Sequence, residues 1–381
     1  MSGQRGAYFH NQFVAVVKSS LNSAHISGCF SMFKVGSIKK PYLLFLGDVS
    51  LAEEAKTSLG IAQWRPEWCV GQLRLNGCVA DAGLPDLTVE EAIQRGAKTL
   101  IVGVAPSGKT IEDAWLTTIA AALRSGLDVA AGLHVQLNHI SALQQAAIHS
   151  GASIFDIRYS KQEFSSAVPR RRTGNRLLTV GTDCAVGKKY TALAIHQEMR
   201  DRGIDASFRA TGQTGMFIAE SGVAIDSVTA DFIAGAAEWL SPDASEDHWD
   251  VVEGQGALRH PAFAGVTLGL IHGTQPDYIV MCHKAQNSRL MAWPDVEIPP
   301  IDEYIKLYIE AARLTNPDVQ LLGMSFNTSE MDGDQREKFL FSAQEEFGVP
   351  CVDPIATGVA PLVKLLQQNI SNKERHAISS T

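Results

Sequence analysis

Gly181-Thr-Asp-Cys-Ala-Val-Gly-Lys188 follows an apolar run, Arg176 to Val180, and precedes an amphipathic stretch, Lys188 to Arg202. A strand, a glycine-bounded loop and a helix in that order form a phosphate-binding P-loop. Successive backbone N–H groups and the lysine surround an anion at the positive end of the helix. The spacing departs from the usual G-x-x-x-x-G-K-[ST] pattern: the glycines lie one residue further apart, and Lys189 stands where a Mg²⁺-binding hydroxyl belongs. The formal pattern occurs instead at Gly103-Val-Ala-Pro-Ser-Gly-Lys-Thr110, where Pro106 removes one N–H from any cradle. The later loop has the better surroundings. Trp249-Asp-Val-Val-Glu-Gly-Gln-Gly256 reads as a strand ending in an acid, and parallel strand ends converge on one crevice. Gly181 to Lys188 is therefore taken as the functional loop, and Gly103 to Thr110 as a strand-to-helix turn.

Working outward, short apolar runs alternate with amphipathic stretches from Pro41 onward, the pattern of βα units on a parallel sheet. Strands are predicted at Tyr42 to Leu46, Thr99 to Val104 and Asp128 to Ala131, and helices at Ala52 to Leu59, Ile111 to Ser125 and Ile140 to Ser150. Beyond the break, strands are predicted at Arg176 to Val180, Ala206 to Arg209, Trp249 to Val252, Tyr278 to Cys282 and Leu321 to Phe326, with helices at Lys188 to Arg202 and Ile225 to Leu240. The fold class is α/β, a Rossmann-like N-terminal domain followed by a P-loop, parallel-sheet C-terminal domain. The divisions expected are an N-terminal extension over 1–40, poorly ordered, a Rossmann-like domain over 41–160, a linker over 161–175, a P-loop domain over 176–370 and a tail over 371–381. The linker carries Arg170, Arg171 and Arg172, read as a solvated triplet with phosphate contact as the alternative.

A net charge of −8 argues against a broad nucleic-acid or anionic-membrane surface, so any phosphate site must be local. No apolar run is long enough to span a bilayer. The cysteines, Cys29, Cys69, Cys78, Cys184, Cys282 and Cys351, form no CxxC pair; neither a zinc site nor a disulfide framework is indicated, and a reducing cytoplasm fits. No Asp or Glu occurs before Asp48, whereas Arg5, Lys18, Lys34, Lys39 and Lys40 do. That composition suits either an organelle transit peptide or an extension ahead of an internal start at Met32.

The loop with its G-T-D-x-x-V-G-K pattern and Val252-Glu-Gly-Gln-Gly256 resemble dethiobiotin synthetases. The set Gly181 to Lys188, Arg209-Ala-Thr-Gly-Gln-Thr-Gly215, Glu253-Gly-Gln-Gly256 and His272-Gly-Thr-Gln-Pro276 is similar to the D-glutamate N-acetyltransferases, formerly a domain-of-unknown-function family. Trp64-Arg-Pro66, Gly83-Leu-Pro-Asp86 and Gly132-Leu-His134 extend the likeness into the first half. The resemblance implies a dethiobiotin-synthetase-like C-terminal domain, a homodimer, and acetyl transfer from acetyl-CoA to the amino group of D-glutamate. The sequence departs from the family pattern at Ser107-Gly-Lys109, Lys284-Ala-Gln286 and Arg289, which bears on substrate identity more than on fold.

On that reading Gly181, Thr182, Asp183, Cys184, Ala185, Val186, Gly187 and Lys188 hold the phosphates of acetyl-CoA, and no metal is expected because Lys189 replaces its hydroxyl, unless Thr182 or Thr191 compensates. An ammonium must lose a proton before it attacks a thioester, so a general base is required; Glu253 and His260 are the candidates. His272 and His283 are lesser ones. A dicarboxylate calls for cations, and Arg209 offers a bidentate fork beside the polar Thr211, Gln213 and Thr214 of a glycine-rich loop. Cys184 is read as a small loop residue rather than an acyl carrier. The runner-up function is an ATP-dependent P-loop enzyme, a carboxylate activator or small-molecule kinase.

Overall fold

Tyr42 to Leu46 is buried along its whole length because it is the central partner of a parallel pairing on both sides. The computed structural model describes residues 38–104, 111–159 and 162–379. The expected N-terminal extension, apart from its last residues, and the Ser107-Gly-Lys-Thr110 end of the earlier lysine-threonine turn lie outside them.

The first half runs β1 (Tyr42–Gly47), α1 (Lys56–Trp64), β2 (Cys69–Arg74), α2 (Val89–Gln94), β3 (Thr99–Val102), α3 (Asp113–Arg124), β4 (Asp128–Ala131), α4 (Ser141–Ser150) and β5 (Ile154–Asp156). Its sheet has the order β2-β1-β3-β4-β5, all parallel. The second half runs β6 (Asn175–Gly181), α5 (Lys188–Asp201), β7 (Ala206–Arg209), α6 (Gln213–Ala219), α7 (Ile233–Leu240), β8 (Trp249–Val252), α8 (Ala264–Thr274) and β9 (Tyr278–Lys284). It continues through the hairpin β10 (Arg289–Leu290) and β11 (Trp293–Glu297), then α9 (Ile301–Arg313), β12 (Gln320–Asn327), α10 (Gly333–Phe347), β13 (Cys351–Val352) and α11 (Ala360–Ser379). The second sheet has the order β13-β12-β9-β6-β8-β7 and is parallel throughout.

Two predicted boundaries shift for local reasons. Ala52–Ala55 forms a 3-10 turn before α1. Ile225–Ser227 is a separate 3-10 turn, and α7 starts only at Ile233. The glycine-rich stretch read as a loop is in part helix: α6 starts at Gln213, and Thr214, Gly215, Met216, Phe217 and Ile218 are all buried. Burial holds a segment whose glycine and threonine content disfavours a helix.

α5 and α11 cover one face of the second sheet, where Ile195 and Met199 meet Leu362, Val363 and Leu366. α7, α8, α9 and α10 cover the other. α6 turns its apolar side into the first half instead, so Met216, Phe217 and Ile218 share a core with Leu44, Phe45 and Ile61. The two halves are thus welded through α1 and α6, and the strand ends of the second sheet face that seam.

The arginine triplet is structural. Arg170 pairs with Asp243 and Arg171 with Asp277. Arg172 is 3% exposed rather than solvated, and donates to the carbonyls of Glu238 (2.8 Å), Ser241, Gly273 and Thr274 (3.0 Å). One guanidinium therefore closes the C-terminal ends of both α7 and α8, where four carbonyls would lack intrahelical partners.

Candidate active site at the seam

The loop after β6 takes its shape from close approaches. A Cβ on Gly181 would stand 2.7 Å from Val186 Cγ2 and 3.0 Å from the Cys282 carbonyl, so only glycine lets the chain fold back over the strand end. Ala185 (φ 55°) and Gly187 (φ 105°) hold left-handed backbone, which turns successive N–H groups to one side. Thr182 N donates to the Cys282 carbonyl at 3.1 Å. Asp183 accepts from Cys184 N (2.6 Å) and from Met291 N of the β10–β11 hairpin (2.8 Å). Lys188 is buried and donates to the Asp183 carbonyl at 2.6 Å, and burial pushes its pKa down. Among the described residues the N–H groups of Ala185, Val186 and Gly187 meet no acceptor. A ring of unmet donors around a desolvated lysine fits an anion such as a pyrophosphate.

The hydroxyls that would have to replace the missing metal ligand are committed elsewhere. Thr182 Oγ1 is 2.8 Å from His283 Nδ1, and Thr191 Oγ1 donates to the Gly187 carbonyl at 3.1 Å and lies 2.8 Å from Ser325 Oγ. His283 is held neutral, its pKa pushed down to about 4 by burial.

Glu253 follows directly on β8 beside this loop. Gly254 must follow it, because a Cβ there would overlap the Thr179 carbonyl. The Glu253 carboxylate is 3% exposed, and Oε2 accepts from Thr211 N (3.0 Å) and Gly212 N (3.2 Å). Thr211 Oγ1 returns a bond to the Glu253 carbonyl at 2.6 Å and accepts one from Gln255 Nε2 at 3.2 Å. Oε1 takes no hydrogen bond among the described residues. Burial raises the carboxyl pKa, against the opposing pull of Lys189 and the two N–H groups. A carboxylate with one oxygen anchored, one open, and a raised pKa is equipped to accept a proton near neutrality.

His260 is placed close by but with the wrong tautomer. Its Nδ1 accepts from Ala262 N at 3.2 Å, so the neutral ring carries its proton on Nε2. The ring stacks on Phe263 with centroids 4.5 Å apart, meets Trp293 edge-on at 4.8 Å, and is held neutral by burial. Nε2 lies 3.8 Å from Asp183 Oδ1. Side-chain donors of Asp183, Cys184 and His260 gather within 4.8 Å of one another. A metal on Nε2 would put the ring proton on Nδ1, against the Ala262 N–H, so these residues do not fit an ion. The same tautomer prevents His260 from taking the Cys184 proton, and burial raises that thiol's pKa.

The proposed substrate residues have protein partners. Arg209 Nε donates to Asp250 Oδ1 at 2.6 Å, and Asp250 also accepts from Ser241 Oγ at 2.6 Å. The fork expected for a substrate carboxylate is therefore anchored in a buried ion pair. Gln213 Oε1 accepts from Arg158 Nη1 at 2.9 Å, and Thr214 Oγ1 is 2.9 Å from Thr57 Oγ1. His272 sits on α8 with a buried Nε2 that meets no partner among the described residues.

Comparison with known proteins decides the lineage. A P-loop domain of unknown function, DUF1611, matches residues 163–363, and its Rossmann-like N-terminal companion matches residues 74–160. The chain belongs to the DUF1611 family. A D-glutamate N-acetyltransferase of a Pseudoalteromonas species is 47% identical over 326 residues, covering 86% of this chain and 98% of that protein. A second, from Tritonibacter scottomollicae, is 43% identical over 329 residues, covering 86% and 99%. The crystal structure of a DUF1611 family protein from Anabaena variabilis superposes with a TM-score of 0.80 at 30% identity, covering 87% of this chain and 100% of that one.

Three residues of this DUF1611 chain escape the sequence reading. Arg158, 5% exposed, pairs with Asp226 and reaches Gln213 across the seam. Thr57 reaches Thr214 from α1. Lys189 stands out in the sequence only as a missing hydroxyl; in the structure it is a cation in the field of Glu253. A second lysine after the P-loop lysine was the available signal. Arg158 and Thr57 had none, since their role depends on which elements of the two halves meet.

Proposed function

We propose that this chain transfers the acetyl group of acetyl-CoA to the amino group of D-glutamate. The observation that carries the reading is Glu253, a buried carboxylate with an open oxygen, set beside a phosphate cradle whose metal hydroxyl is replaced by a lysine. The relatives named for this reaction, similar along almost their whole length, support it.

In this account Lys188 and the N–H groups of Ala185, Val186 and Gly187 hold the pyrophosphate of acetyl-CoA. Glu253 Oε1 takes a proton from the substrate ammonium, and the freed nitrogen attacks the thioester carbon. The C–N bond forms, the C–S bond breaks, and the nitrogen's second proton accompanies the departing thiolate. Glu253 then releases its proton to solvent. His260 acts as a neutral Nε2–H donor beside Asp183 rather than as base. No metal is required, because acyl transfer builds up no phosphoryl charge that a cation must offset. A homodimer in the cytoplasm completes the reading; among the described residues no helix is long and apolar enough to cross a membrane.

The test is one protein preparation assayed for both chemistries. Thiol release from acetyl-CoA that depends on an amino-acid acceptor, without Mg²⁺-dependent ATP turnover, is expected. ATP turnover without thiol release would replace the acetyltransferase with a nucleotide-dependent ligase or kinase.

A further inference from the structure

Lys189 leaves the loop and points from α5 toward α1. Its Nζ is 4.5 Å from the Tyr190 ring centroid and 3.1 Å from where a Cβ on Gly60 would stand. That same point is 2.7 Å from Thr214 Cγ2, so the ammonium, the α1 backbone and the first turn of α6 meet in one place. Lys189 is half-buried, and among the described residues no oxygen accepts from Nζ. No ion pair joins this ammonium to a carboxylate among the described residues, and the opposite charge that acts on it is Glu253.

Glu253 supplies the field but no contact. Its carboxylate lies against Gly215, where an added Cβ would overlap Oε2, while Lys189 lies by Thr214, the preceding residue of α6. Burial lowers the Lys189 pKa against the pull of Glu253, and Lys56 of α1 adds a like charge from the facing side. The seam thus holds, around the first turn of α6, an ammonium without an ion pair and a carboxylate with one oxygen free of hydrogen bonds among the described residues.

We propose that Lys189 and Glu253 together bind the head group of an α-amino acid, Lys189 receiving the α-carboxylate and Glu253 Oε1 the adjoining ammonium. This rests on the acetyltransferase reading and deepens it. In an α-amino acid one carbon separates the two charged groups, so the protein groups that receive them must also be adjacent and of opposite sign. A phosphate of acetyl-CoA could satisfy Lys189 but would gain nothing from Glu253. The pairing also places the ammonium directly on the base, which sets the nitrogen for attack.

The experiment compares wild type, Lys189→Met and Lys189→Arg as full chains. Steady-state rates are measured with D-glutamate and with 4-aminobutanoate, which is glutamate without its α-carboxylate. Lys189→Met should raise KM for D-glutamate by about ten- to a hundredfold, the worth of a charge-assisted hydrogen bond. It should leave KM for acetyl-CoA unchanged, abolish the wild-type preference for D-glutamate over 4-aminobutanoate, and not lower the melting temperature. Lys189→Arg should restore much of the loss. An unchanged KM for D-glutamate, or a rise confined to acetyl-CoA, overturns the proposal and in the second case gives Lys189 to a phosphate. Calorimetric binding of D-glutamate to the same proteins separates the two claims: Lys189-dependent binding without thiol release refutes the acetyltransferase and keeps the head-group site.

Discussion

The hydroxyls of Thr57 on α1 and Thr214 on α6 lie 2.9 Å apart in the buried seam between the two halves. Each is the other's hydrogen-bond partner, beside a core that includes Ile61, Met216 and Phe217. Thr57→Val should therefore leave a buried hydroxyl unpaired and cost about 1 to 3 kcal/mol, whereas adding Thr214→Val should cost less than the sum of the single changes. Urea denaturation of the four proteins of that cycle measures the coupling; strict additivity would mean the contact carries no energy.

Glu253→Gln keeps an oxygen for Thr211 N and Gly212 N but cannot take a proton. It should lower kcat by about a hundred- to ten-thousandfold with little change in KM for acetyl-CoA. A base acts only when deprotonated, and burial raises this carboxyl's pKa. Wild-type kcat/KM should therefore rise with pH through a value above the ordinary carboxylate range, and the limb should vanish in Glu253→Gln. A limb that persists in the variant would move the base elsewhere.

Gly215→Ala tests the packing behind that base. Alanine favours the helix, yet its Cβ would overlap Glu253 Oε2. Displacing the carboxylate by about an ångström should cost about a hundredfold in kcat, while circular dichroism and melting temperature remain near wild type. Full activity in Gly215→Ala would show that the carboxylate's position is not critical.

Arg172→Ala should act on stability alone. It strips partners from the carbonyls of Glu238, Ser241, Gly273 and Thr274 at two helix ends. A loss of about 3 kcal/mol or more is expected in chemical denaturation, with unchanged KM values for the protein that stays folded. A selective rise in KM for acetyl-CoA would instead support a phosphate role for the triplet.

These residues show what a sequence discloses. Asp128–Ala131 and Trp249–Val252 are legible because apolar residues dominate them and they are buried along their whole length, the mark of strands covered on both faces. The P-loop and its acidic partner are legible because glycines and a lysine at fixed spacing have few other uses. β2 with Gln72 and Arg74, three-residue β5 and two-residue β13 lie at sheet edges and owe their form to a neighbour's backbone. The Tyr304, Tyr308, Ala311 stripe of α9 has plain helical spacing, and its helix is nevertheless absent from the elements predicted above. α6 does need it, since only the seam explains a helix through Thr214 and Gly215. Arg209 has the chemistry of a carboxylate fork, and only the fold reveals that Asp250 holds it.

Acetyl transfer onto D-glutamate is tested by release of the free thiol of CoA with D-glutamate and with L-glutamate, compared on one preparation. Release should require the D isomer, stop in Glu253→Gln, and yield N-acetyl-D-glutamate. Release that is indifferent to the isomer, or absent with both, would contradict it.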